Sequence, residues 1–451
     1  MGGRAVVACL VAGALLAAVA CGAGAPAEKP DGGGVTTVRY MLWGSTDELG
    51  ELRGMLTSTF EPANPGIHVE VLTVAGSMYQ IKLATMLAGG VAPDIVNIHE
   101  AFLPTAAENQ LILPLDDLVA GDPSVRLDAF IPRLVDEARY RDGKLYKLPT
   151  GGHVVVLYYN KDLFDAAGVT YPDDTWTWDD LLAAALKLTV RNEQGQTTQW
   201  GLNGDGLGWL HYVDFIWQNG GEVFDADNHL VLGRPEYIDQ NVEAWQFVAD
   251  LIQKHKVTRF FEESAVLPVD PFIGGQSAMQ MSGSWTTNDL MRTWKELHAK
   301  GEEGKMIRWG VAPLPKQRKR ATLFFAGGPV IYRDTPYAKE SWQVAKFFAS
   351  EAWQKAQAVR GNVPSLKSVA YSDVFLRAEG IPADVDLRVV LDAFDYARPQ
   401  PSGAAVAELM EKQISTLNSN ISMGRITDIR GELLKLQAAV DSACPYCSAQ
   451  R

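Results

Sequence analysis

Several tryptophans in this chain stand where a ring is free to meet a ligand. Trp285 follows Gly283 and Ser284, small residues that leave it unobstructed, Trp43 ends an alternating apolar run, and Trp209 lies in the loop 207–210 ahead of an apolar helical pattern. An indole offers a flat apolar plate with a single N–H at its edge. Planar hydrogen-bonding groups gather at Asn97, His99 and Glu100, and His153 follows the flexible pair Gly151-Gly152. Ser45, Gln80, Asn160, Asp205, Arg360, Asn362 and the backbone of Gly327-Gly328 add donors and acceptors. Plates for a face and planar groups for an edge suit a ring that is apolar above and below and hydroxylated around its rim. Trp245, Trp294, Trp342 and Trp353 fall in helical patterns and read as packing.

The same residue types could serve other chemistries. Glu100 and a second carboxylate, among 54 acidic residues, would make a glycosidase pair. His99, Glu100, His153 and His211 are of types that bind zinc. Spacing supports neither, since the chain has no G-x-S-x-G elbow and no H-E-x-x-H helix, and no metal or cofactor is expected. Asp225, Asp227 and Glu236 imitate a calcium loop, but Leu230 stands where its sharp turn needs glycine, so the stretch reads as a hairpin turn. Cys444-Pro445-Tyr446-Cys447 is like a glutaredoxin motif, yet only four residues follow it; outside the cell it reads as a disulfide loop.

The elements that must position these groups are legible from periodicity. Thr37–Trp43 alternates as a half-buried strand, and Ser45 with Glu48 has the spacing of a capping box. A helix follows with the stripe Leu49, Leu52, Leu56 and Phe60, ended by Pro62–Gly66. A strand over His68–Val74, a helix over Met78–Leu87 and a buried strand over Asp94–Ile98 complete a β-α-β-α-β unit, the mark of an open and mainly parallel sheet. Ligands bind such sheets beyond the carboxyl ends of the strands, which favours Trp43. Later come strands at Val154–Tyr159, Ile307–Ala312 and Gly328–Tyr332, helices at Trp178–Thr189, Tyr212–Asn219, Gln240–His255 and Pro336–Val359, and a helical tail over Val406–Asp441 interrupted near Met423-Gly424.

The ends and composition bound the setting. Arg4 and the apolar run Ala5–Ala20 form an export signal, too short for a confident membrane span. It leads into Ala18-Val19-Ala20-Cys21, which resembles a bacterial lipobox, except that Ala18 stands where Leu is usual and Leu16 lies two residues upstream. The resemblance implies removal of 1–20, acylation of Cys21 and a tether over 21–34. About 430 residues then remain, enough for two domains. With 47% hydrophobic and 21% charged residues the chain is an ordinary globular protein, and a net charge of −13 argues against a nucleic-acid partner. The one basic cluster, Lys316–Arg320, reads as a solvated loop.

Taken in order, YQIKLATMLAGGVAPDIV (Tyr79–Val96), LPTGGHVVVLYYNKDLF (Leu148–Phe164), WTWDDL (Trp176–Leu181), Gln218–Phe224, MSGSW (Met281–Trp285), Gly310–Pro315 and Ala326-Gly327-Gly328 resemble the extracellular solute-binding proteins of carbohydrate ABC importers, the maltose-binding type. The resemblance covers essentially the whole mature chain. It implies an α/β, two-lobe periplasmic-binding-protein fold with three inter-lobe crossings and a central ligand cleft. Crossings are expected near Pro149–Val154, Pro315–Thr322 and Asn362–Leu366, with one lobe from 35–147 plus 323–361, the other from 155–315 plus 366–443, and a tail over 444–451. It further implies a ligand plate at Trp285, polar contacts at Asn97, His99 and Glu100, and a contact near the hinge at His153. Arg360 and Asn362 fall at the third crossing. The function implied is capture of a mono-, di- or oligosaccharide for delivery to an ABC permease by a monomer lipid-anchored at the outer face of the cytoplasmic membrane. The family binds without turnover; the alternatives are a glycoside-processing enzyme and a receptor for a metal or polyol.

Overall fold

A computed structural model describes residues 34–203, 209–259, 269–403, 406 and 409–443. The export signal, Cys21, nearly all of the tether, Asp205 and the Cys444–Cys447 loop lie outside the described residues. No described helix is long and apolar enough to cross a membrane.

The first sheet grows from alternation. In β1 (Thr36–Leu42) Val38 and Tyr40 point inward, and the strand pairs in parallel with β2 (Ile67–Thr73) and β3 (Ile95–Ile98). Between β1 and β2 runs α1 (Thr46–Met55), started by the capping box of Ser45 and Glu48; its stripe Leu49, Leu52, Leu56 and Phe60 is buried, and a wide turn extends the helix through Phe60. Between β2 and β3, α2 (Gly76–Ala88) buries Tyr79, Leu83 and Leu87, four residues apart.

The second sheet is built around β4 (His153–Asn160), whose residues Val154–Tyr159 are all buried. Val155, Leu157 and Tyr159 enter one core, packed with α3 (Trp178–Leu188), α4 (Trp209–Gln218) and α5 (Ile238–Gln253). Val154, Val156 and Tyr158 enter another on the opposite face. A continuously apolar strand is what burial on both faces demands. One edge of β4 takes β5 (Met279–Gly283), from which α6 (Trp285–Ala299) departs; the other is shared by β6 (Trp309–Ala312) and β7 (Thr322–Phe325), all antiparallel.

The chain then returns to the first sheet as β8 (Gly328–Ile331), antiparallel to β3, giving the order β8-β3-β1-β2. Helices α7 (Ala338–Ala349) and α8 (Glu351–Ala358) follow, then three shorter helices, before β9 (Ala397–Pro399) pairs in parallel with β7 at the edge of the second sheet. The tail is helical over α9 (Ser415–Ser422) and α10 (Ile429–Ala443), broken by Gly424 at φ +69°. The molecule is thus a two-lobe α/β fold with a sheet in each lobe.

Two sequence expectations require correction. Pro336–Val359 is not one helix: Ser350 adopts an extended backbone and its hydroxyl caps α8 by accepting from Trp353 N–H. The second crossing comes later than Pro315–Thr322, because Thr322–Phe325 still bonds to the second sheet and the chain changes sheets at Ala326-Gly327. Residues 323–325, assigned with the first lobe, therefore sit in the sheet of the second.

Candidate functional site

The three crossings lie side by side. Gly152 N–H donates to Val363 O, Ser365 Oγ to Pro149 O, and His153 pairs with Phe325. Gly151 has φ +153°, and a Cβ there would lie 2.8 Å from Val363 O, so the close approach of first and third crossings requires glycine. At the second crossing Gly327 packs against the end of β3, where a Cβ would lie 2.7 Å from Ile98 O. Between the lobes opens a cleft of about 960 Å³.

The first lobe presents its wall from the carboxyl ends of its strands. Trp43, just past β1, stacks on His99 with centroids 4.3 Å apart and planes at 15°, and meets Tyr79 edge-on. Tyr79 is fixed in turn, donating to Met41 O and Asn97 O and so tying the ends of β1 and β3 together. Asn97, His99, Glu100 and Gln80 line this wall. Glu100 is only 5% exposed.

The second lobe contributes Trp285 at the first turn of α6. A Cβ on Gly283 would fall 2.1 Å from its ring, so the indole folds back over the end of β5 because that position is glycine. Its plate is 37% exposed and meets His153 and Phe325 at 5.6 and 5.4 Å between centroids. His153 Nδ1 lies 3.0 Å from Ser284 Oγ, and burial lowers its pKa to about 4, which keeps the imidazole neutral at physiological pH. Gly327 and Gly328 line the floor, and Arg360 and Asn362 the hinge end. Arg360 is ion-paired with Glu51, and Asn362 donates to Gln357 Oε1.

Of the residues singled out in the sequence, Trp43, Gln80, Asn97, His99, Glu100, His153, Trp285, Gly327, Gly328, Arg360 and Asn362 all line this one cleft. Ser45 does not; its hydroxyl and N–H are engaged with Glu48 in the helix cap. Asn160 caps another helix through Leu163 N–H, away from the cleft. Trp209 opens α4, but its side chain falls outside the described residues. The lining also includes Thr105, Trp353, Gln357 and Gln400, none of which was expected there. Trp353 and Gln357 reach it because Ser350 restarts the helix, a signal visible only as a serine before a glutamate. Among the described residues, His99, Glu100 and His153 do not converge closely enough to share an ion; the one group that does is Asp225, Asp227 and His229. There Asp225 accepts from the N–H groups of Asp227 and His229, as a hairpin turn requires.

The model of the bacterial extracellular solute-binding proteins matches residues 43–355. An arabinooligosaccharide-binding protein of Halalkalibacterium halodurans is 31% identical over 40% of this chain and 37% of its own, and the sn-glycerol-3-phosphate-binding periplasmic protein of Escherichia coli K12 is 31% identical over 45% and 48%. Among solved structures, an ABC substrate-binding protein of Listeria monocytogenes in complex with cycloalternan superposes with a TM-score of 0.77 at 25% identity, covering 91% of this chain and 99% of that one. With a cleft between two lobes and a family match across more than half its length, the chain belongs to the bacterial extracellular solute-binding proteins.

Proposed function

We propose that this protein captures a saccharide outside the cytoplasm by closing its lobes and delivers it to an ABC permease, without chemical turnover. One observation carries the reading: two aromatic plates, Trp43 and Trp285, face a single cleft from different lobes, amid planar polar groups. A pyranose or furanose stacks its C–H face on an indole while its hydroxyls meet amides, imidazoles and carboxylates at the rim. The names of relatives that bind arabinooligosaccharide or cycloalternan support this choice of ligand. Lobe 1 would comprise 35–147 with the stretch after the second crossing to 361, and lobe 2 the remainder to 443. Cys21 would carry the lipid that holds a monomer at the outer face of the cytoplasmic membrane, and Cys444 and Cys447 would close a small loop.

A thermal-shift screen of the mature chain against mono- and oligosaccharides, polyols and amino acids tests this. A ligand at a hundred times its Kd stabilises the native state by about 2.7 kcal/mol. Trp285→Ala should weaken the hit by about thirtyfold, or about 2 kcal/mol, with the melting temperature of the free protein little changed. A shift produced only by amino acids would overturn the sugar, and released reducing sugar from a bound glycoside would overturn the absence of turnover.

A further inference from the structure

We infer that the cleft selects by charge, taking uncharged or amine-bearing saccharides and excluding those that carry phosphate or carboxylate, with Glu100 as the determining residue; this rests on the saccharide reading above. Among the described residues, Arg360 is the one Lys or Arg lining the cleft. It is paired with Glu51 and lies in the field of Glu48 and Asp47, so its charge is spent within the protein. His153 is neutral for the reason already given. Against this stand two carboxylates. Glu48 binds only Ser45, and Glu100 has neither a hydrogen-bond partner nor a counter-ion among the described residues although it is nearly buried.

The surroundings reinforce that balance. Glu100 also faces an adjoining inter-lobe gap of about 330 Å³, whose cations are each paired: Arg139 with Asp116, Arg141 with Asp227, and Arg398 with Glu222. Lys147, buried and not part of the lining, is held by Glu137 at 2.6 Å and donates to Ala326 O. A carboxylate that lines a cleft and has no protein partner leaves its acceptor oxygens open to donors that a ligand supplies. Hydroxyls supply them, and an ammonium does so with a favourable charge. A phosphate or carboxylate would bring like charge into a cleft whose low-dielectric walls magnify repulsion.

The test is titration calorimetry of the mature chain at low ionic strength with the best neutral saccharide of the screen, its amino analogue, and its uronate or phosphate analogue, together with sn-glycerol 3-phosphate. The neutral and amino forms should bind, and the anionic forms should be weaker by on the order of thirtyfold, a gap that narrows in Glu100→Gln and shrinks with added salt. Glu48→Gln, at an exposed position, provides a second reading should Glu100→Gln fold poorly. Anionic analogues binding as well as the neutral form, or a gap unchanged in both variants, would overturn charge selection alone. Absence of binding by every neutral saccharide would instead overturn the saccharide reading beneath it.

Discussion

His153 shows how burial can fix the protonation state of a residue that lines the cleft. Its imidazole sits beside Ser284 and Trp285, and burial holds its pKa near 4, below the ordinary 6.5. The unfolded chain therefore binds a proton in the range from about 6.5 to 4 that the native state does not, so this residue contributes stability above pH 6.5 that is lost as pH falls through 4. Glu137 acts in the opposite sense. Burial, against the pull of Lys147, raises its pKa to about 7, so its contribution declines as pH rises from the ordinary carboxylate range toward 7. Comparing His153→Gln with the parent in denaturant melts from pH 4 to 7.5 isolates the histidine. The parent should lose up to about 1.4 kcal/mol per pH unit more than the variant on the acid side. Equal slopes would mean that His153 is not held neutral. Trp43 and Trp285 were legible because each stands at a strand end next to small residues, and Asn97, His99 and Glu100 because they cluster at the end of β3. Their partners were not: nothing in the sequence says that Trp43 will lie on His99, or that Glu100 will be left without a counter-ion.

At the scale of elements, local rules read well where a signal is self-contained. Ser45 and Glu48 announce the start of α1, and the structure forms both halves of that box. The residue is thus an N-cap at the cleft's edge, and Ser45→Ala should cost about 1 kcal/mol of stability while changing saccharide affinity less than twofold. Thermal unfolding and calorimetry on the same preparation would show it; a large loss of affinity with stability intact would return Ser45 to the binding site. The rules failed where a signal depends on what lies elsewhere. The apolar pattern continues unbroken past Ser350, because α7 and α8 bury Trp342, Phe348 and Ala358 alike, and only tertiary packing reveals the break. Likewise β7 is a short run, Thr-Leu-Phe-Phe, whose composition says that it is buried without saying in which sheet.

The whole molecule follows from chain order. A β-α-β-α-β start, a central strand apolar on both faces, and a late return through Gly327-Gly328 are enough to imply two sheets joined by repeated crossings. The exact place of the second crossing was obscure, since it turns on which edge accepts Thr322–Phe325. Because the crossings are hydrogen-bonded to one another and meet through glycines, they form one narrow hinge rather than three independent tethers.

That arrangement also gives the protein an optical signal of its own. Of its twelve tryptophans, Trp178, Trp217, Trp245 and Trp309 are sealed in cores and should emit alike in any state, whereas Trp43 and Trp285 stand on facing walls against His99 and His153. Closing the lobes on a saccharide would withdraw both indoles from water together. Emission should move to shorter wavelength on binding, by an amount that falls in Trp43→Phe or Trp285→Phe and falls further in the double variant, where Trp353 is left as the cleft's indole. Stopped-flow fluorescence would then time the closing of the cleft without any attached dye.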